Sequence, residues 1–93
     1  MEIQQANTAG SGRFFIEIDG KELAKIIYRW ENQVMVIEHT EVDASLGGQG
    51  IGKKLVEAAV AYARAHQIKI LPLCPYAKKV LERGPEYADV LEA

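Results

Sequence analysis

Ninety-three residues make one small domain with a single core, too short for two. A 48% hydrophobic and 26% charged composition with a formal net charge of -2 is ordinary for a globular protein and lacks the basic excess of a nucleic-acid surface. No apolar run approaches the roughly 20 residues of a membrane span, no signal-peptide core stands at the N-terminus, and the one cysteine builds no disulfide framework, so the expectation is a single domain over 1–93, cytoplasmic, monomeric or weakly dimeric.

Residues 1–12 (MEIQQANTAGSG) are mostly polar, with Ile3 as the apolar position; they read as a short edge segment or a loose arm. From Arg13 the period is two: Phe14, Ile16 and Ile18 alternate with Arg13, Phe15 and Glu17. Asp19-Gly20 is a tight-turn signal, and a second strand follows with Ala24, Ile26, Tyr28 and Trp30 on one face. Glu31-Asn32-Gln33 turns the chain into a third strand, 34–42 (VMVIEHTEV). After the glycines the period becomes helical, with Ile51, Leu55, Ala58, Ala59, Tyr62 and Ala63 on one side and Lys53, Lys54, Glu57 and Arg64 opposite. That helix should end near His66-Gln67.

Residues 68–74 (IKILPLC) form a short apolar strand whose proline suits an edge or bulge. Pro75 then opens a second helix that stops at Gly84-Pro85, and 86–93 is a final turn or short helix. The crossover from 34–42 to 68–74 makes those strands parallel neighbours. The predicted fold is therefore α+β: an antiparallel β-meander followed by β-α-β-α, with helices packed on a mixed sheet.

The stretch LGGQGIGKK, residues 46–54, places four glycines in six positions ahead of two lysines. A P-loop reading stops at Lys54, where the Mg²⁺-holding hydroxyl should be. The dinucleotide pattern fails at its third glycine, and the chain has no room for a doubly wound sheet. Two readings stay open. Backbone N–H groups of the turn, with the helix macrodipole, can hold a pyrophosphate over residues 47–53 (Gly47, Gly48, Gln49, Gly50, Ile51, Gly52 and Lys53). Alternatively the glycines form a helix entry that binds nothing.

VDASLGGQGIGKKLVEAAVAYAR resembles the acetyl-coenzyme A motif of the GCN5-related N-acetyltransferases, Q/R-x-x-G-x-G/A after a strand. With IEHTEVDASLGGQGIGKKLV, LPLCPYAKKVLERGPEYADVL and the RFFIEIDG start, nearly the whole chain is similar to the very short branch of that superfamily. The resemblance implies acetyl-coenzyme A as cofactor and an N-acetyltransferase with an unidentified amine acceptor, without nucleic acid or membrane partners. Gly47 stands where the motif has Gln or Arg; this removes an assisting side chain and makes the turn floppier.

In the resembling family the thioester lies where the strand before the turn and the next parallel strand splay apart. This implies that the backbone from Thr40 to Val42 faces the acetyl carbonyl and pantetheine. Acetyl transfer needs a base for the amine and an acid for the leaving thiolate. His39, as the imidazole on that strand, is the candidate base; the alternative is an imidazole bonded within the sheet. Glu38 and His39 fall on opposite faces unless a bulge intervenes.

Cys74 precedes a helix start, so it is a candidate nucleophile or a small buried hydrophobe. An apolar strand end should raise its pKa against the helix dipole, which favours direct transfer. Tyr76 is a candidate proton donor or plain packing. Lys53, Lys54, Lys78, Lys79 and Arg83 read as a solvated basic rim; the alternative the resemblance opens is contact with the 3′-phosphate of the cofactor. His39, His66 and Cys74 have no metal-ligand spacing. The tight turns at 19–20 and 31–33 leave no room for helices that would shape an acceptor pocket. A non-catalytic module that binds coenzyme A or a protein partner is therefore the alternative function.

Overall fold

The structure, a computed structural model, describes residues 2–92. Five strands lie in sequence order across one sheet: β1 (Gln4–Asn7), β2 (Ser11–Ile18), β3 (Lys21–Glu31), β4 (Val34–Val42) and β5 (Lys69–Pro72). The first four pair antiparallel, and β5 joins β4 in parallel, with Val34 opposite Lys69 and Ile37 opposite Pro72. Helix α1 (Ile51–His66) crosses between β4 and β5, and α2 (Pro75–Glu82) follows β5. The α+β meander-then-β-α-β-α order is as predicted, with one more strand at the start.

The hairpin turn works because Asp19 and Gly20 take φ of 52° and 79°, the left-handed pair that a two-residue turn needs to match strand twist. The predicted apolar faces meet in one core. Phe14, Ile16, Ala24, Ile26, Tyr28, Met35, Ile37 and Ile70 pack against Leu55, Val56, Ala59, Val60 and Ala63 of α1 and Ala77, Val80 and Leu81 of α2. Among the described residues, no helix is long and apolar enough to cross a membrane.

Residues 4–7 are an edge strand rather than a loose arm, and Tyr28 is the reason. Its ring is buried, so its hydroxyl needs partners. It donates to Asn7 Oδ1 and accepts from Gln5 Nε2, both on β1. Gly12 lies beneath this contact; a Cβ there would collide with the Tyr28 ring and Asn7.

Phe15, on the opposite face as expected, is nonetheless buried, because the Arg13 guanidinium lies 4.5 Å above its ring. A cation over an aromatic face shields it as packing would. The free edge of β5 is also occupied. The Ile70 N–H donates to Val90 O at 2.6 Å and the Glu92 N–H to Ile70 O at 2.8 Å, while Arg64 on α1 holds the Asp89 carboxylate.

Candidate active site

Strand β5 is shorter than the predicted 68–74, and its ending makes the site. Pro72 has no N–H to extend the ladder. The next two amides, Leu73 and Cys74, both donate to Ile37 O, at 2.9 and 3.1 Å. The chain then turns into α2, and β4 runs on from Glu38 to Val42 with no β5 partner. A wedge opens in the sheet beside the N-terminus of α1.

A bulge sits at the head of this wedge. His39 pairs with Ile27 while Ile37 pairs with Tyr28, so Glu38 is an extra residue in β4. One extra residue puts two consecutive side chains on the same side. Glu38 meets Arg29 on the outer face of the sheet, and His39 Nε2 lies 3.2 Å from Glu41 Oε2 there. Glu38 and His39 thus share a face because the bulge is present. The His39 side chain is 60% exposed.

Thr40 points inward. The Cys74 thiol donates to Thr40 Oγ1 at 3.4 Å. Cys74 is only 6% exposed and sits behind Thr40. Burial pushes its pKa up, but the Thr40 hydroxyl and the backbone N–H groups of Ala77, Tyr76 and Thr40 favour the thiolate more strongly, so the net direction is down. The expectation that an apolar strand end would raise this thiol is corrected: the chain places several donors around it.

In front of Thr40 lies a cavity of about 390 Å³, lined by Thr40 and Val42 of β4, by the glycine turn and by Tyr76. Gly47, Gly48, Gly50, Ile51 and Gly52 line it. Gln49 and Lys53 of the predicted set are exposed beside it. Leu46, which the sequence reading passed over, also lines the cavity and is buried. The signal was a lone apolar residue in a polar, glycine-rich turn.

The glycines have different reasons. Gly48 and Gly50 have φ of 79° and 67°, a region costly for residues with a Cβ. Gly52 has ordinary helical backbone, but an added Cβ would lie 2.8 Å from the Tyr76 hydroxyl. Gly47 has φ of -62° and ends a 3₁₀ turn, Ala44–Leu46, with its N–H bonded to Ala44 O at 3.0 Å. The turn is tied further by Asp43, whose carboxylate accepts from the Ser45 N–H at 2.9 Å. The glycine at 47 therefore does not leave the turn loose.

Gly50 caps α1 without a side chain, and the first turn of the helix holds no acidic residue. Its first amides, which have no acceptor within the helix, point at the cavity mouth as an uncompensated positive end. Such a mouth suits an anion.

The family model for GCN5-related N-acetyltransferases matches residues 13–90, and the chain belongs to that family. The solution structure of a GCN5-like protein from Staphylococcus aureus is 40% identical, with 99% of this chain and 88% of that one aligned at a TM-score of 0.78. The ribosomal-protein-S18-alanine N-acetyltransferase of Escherichia coli shares the fold at 17% identity and a TM-score of 0.67, over 83% of this chain and 53% of the enzyme. A Bacillus anthracis protein crystallised with acetyl coenzyme A aligns over 69% of this chain and 38% of its own length, at 21% identity and a TM-score of 0.56. No curated protein sequence matches the chain.

Proposed function

We propose that the chain is an N-acetyltransferase that binds acetyl-coenzyme A in the wedge between β4 and β5 and acetylates an amine arriving from the outer face. The observation that carries this reading is the break in the sheet at Ile37, which opens a cavity beside an uncapped helix start. The residues present fit the cofactor. The turn with Gly48 and Gly50 in the left-handed region and the first amides of α1 would hold the pyrophosphate, and the unpaired β4 backbone from Thr40 to Val42 would take the pantetheine amides. Bound acetyl-coenzyme A supplies an activated thioester carbonyl.

The protein's own groups divide by face. His39, on the outer side of the wedge, takes the amine proton, and the Glu41 carboxylate, 3.2 Å from Nε2, orients the ring. Tyr76, which lines the cavity with its hydroxyl over Gly52, holds a proton for the leaving thiolate. Cys74 stands one layer back, and transfer is direct.

Two measurements test this. At a hundred times its Kd the ligand adds about 2.7 kcal/mol of stability, which raises the Tm of a domain this size by roughly 10–20 °C. Free thiol is then released only when an amine from an acceptor panel is added. Stabilisation without thiol release from any amine would favour the non-catalytic module, a reading that the helix-free outer face also supports. No stabilisation and no heat in calorimetry would remove the coenzyme A reading altogether.

Direct transfer makes a separate prediction. Acetyl-coenzyme A alone leaves the intact mass of the protein unchanged, and Cys74→Ser keeps kcat within about threefold. Alkylation of Cys74 by iodoacetamide should nonetheless rise with pH at a lower midpoint than for an ordinary cysteine, because the thiolate is favoured. A stoichiometric acetyl adduct that disappears in Cys74→Ala would replace direct transfer with a covalent relay.

A further inference from the structure

A second cavity, of about 210 Å³, adjoins the first across Tyr76 and is lined by Lys53, Lys79, Arg83, Glu86 and Tyr87 as well. Lys53 follows Gly52 directly, so this groove begins where the glycine turn ends. Lys79 on α2 and Arg83 at its C-cap are one turn apart. Among the described residues, none of these three cations has a carboxylate within ion-pair distance, whereas Arg13 and Arg64 are each held by one and Arg29 by two.

The ordinary explanation for Lys79 and Arg83 is the negative end of the α2 dipole, which favours cations. It does not extend to Lys53. That residue stands in the first turn of α1, where the dipole opposes a positive charge and no acidic side chain offsets it. An anion at this end of the groove would offset that opposition. Glu86 subtracts one charge from the three, which leaves about +2, a match for a phosphate monoester of about -1.5 to -2.

We propose that this groove is the binding site for the 3′-phosphate of coenzyme A, with Lys53, Lys79 and Arg83 as its ligands, so that the chain selects coenzyme A over its dephosphorylated form. The proposal rests on the pyrophosphate lying at the glycine turn. From there the pantetheine arm runs toward Thr40 and Val42, and the ribose with its 3′-phosphate runs the other way, past Tyr76. Arg83 supplies a planar fork to two phosphate oxygens and the lysines supply point charges.

Calorimetry with coenzyme A and dephospho-coenzyme A on the full chain tests it. In low salt, coenzyme A should bind at least about tenfold more tightly, and 0.5 M salt should narrow the ratio. The double variant Lys79→Ala/Arg83→Ala, at two exposed positions, should bring the two ligands within about threefold while leaving dephospho-coenzyme A affinity where it was. Equal binding of both ligands by the unaltered protein would overturn the phosphate site and leave the coenzyme A reading intact. A ratio unchanged in the double variant would place 3′-phosphate recognition elsewhere. If neither ligand binds, both proposals fall together.

Discussion

His39→Ala lowers kcat for amine acetylation by about 10²-fold and leaves the affinity for acetyl-coenzyme A unchanged. The separation follows from the two faces of the sheet. The cavity proposed to take the cofactor is lined by Thr40, Val42 and Tyr76, and His39 does not line it. On the outer face, Glu38 is engaged by Arg29, and Glu41 contacts His39 itself. His39 is therefore the proposed proton acceptor at the edge of the wedge, with Nε2 held against Glu41. Single-turnover kinetics with calorimetry on the same variant checks this, and exogenous imidazole should restore part of the rate. Glu41→Gln should cause a smaller fall, because it removes the orienting charge but leaves the base. A loss below about threefold in a folded His39→Ala protein, with no imidazole rescue, would assign the side chain to the sheet surface.

The parts of this site that were legible in the sequence are the ones that local chemistry decides. Alternation from Phe14 to Ile18 and from Ala24 to Trp30 gave the core face, because a strand's side chains must alternate. Asp19-Gly20 gave the hairpin, and the glycine spacing gave the helix start. What was hidden depends on partners distant in the chain. The bulge at Glu38 arises from how β4 pairs with β3, and the composition of β4 does not announce it. The strand at residues 4–7 is ordered by a hydroxyl on Tyr28, 21 residues beyond Asn7. Phe15 was legible as outward-facing but not as buried, since its cover is a guanidinium.

Cys74 shows the same limit in its electrostatics. The apolar strand end before it argues for a raised pKa, while the Thr40 hydroxyl across the wedge and the amides of Ala77, Tyr76 and Thr40 favour the thiolate and reverse the direction. The glycine run was legible as a run but not in its parts. Only Gly48 and Gly50 are conformational necessities, whereas Gly52 is there for space under Tyr76.

That division carries the second large expectation. Gly50→Val weakens coenzyme A binding by at least about tenfold, because a β-branched residue in the left-handed region costs upward of about 1–2 kcal/mol. Crowding is not the cause, since an added Cβ at Gly50 meets nothing within 4 Å. Residue 50 relieves the strain by leaving φ of 67°, which turns the amides of residues 48–51 away from a common point. The Tm of the variant separates a general loss of stability from a re-aimed turn: affinity should fall even at temperatures where the protein is fully folded. Gly47→Gln is the matched control. Its φ of -62° suits any residue, and its nearest obstacle is Ala44 O at 3.2 Å from an added Cβ. Affinity there should stay within about threefold, with any change upward, because the longer side chain adds a donor at the mouth. The order of the two variants is the informative result. A folded Gly50→Val protein that binds coenzyme A as well as Gly47→Gln does would move the pyrophosphate off the glycine turn, and the wedge between β4 and β5 would need a different ligand.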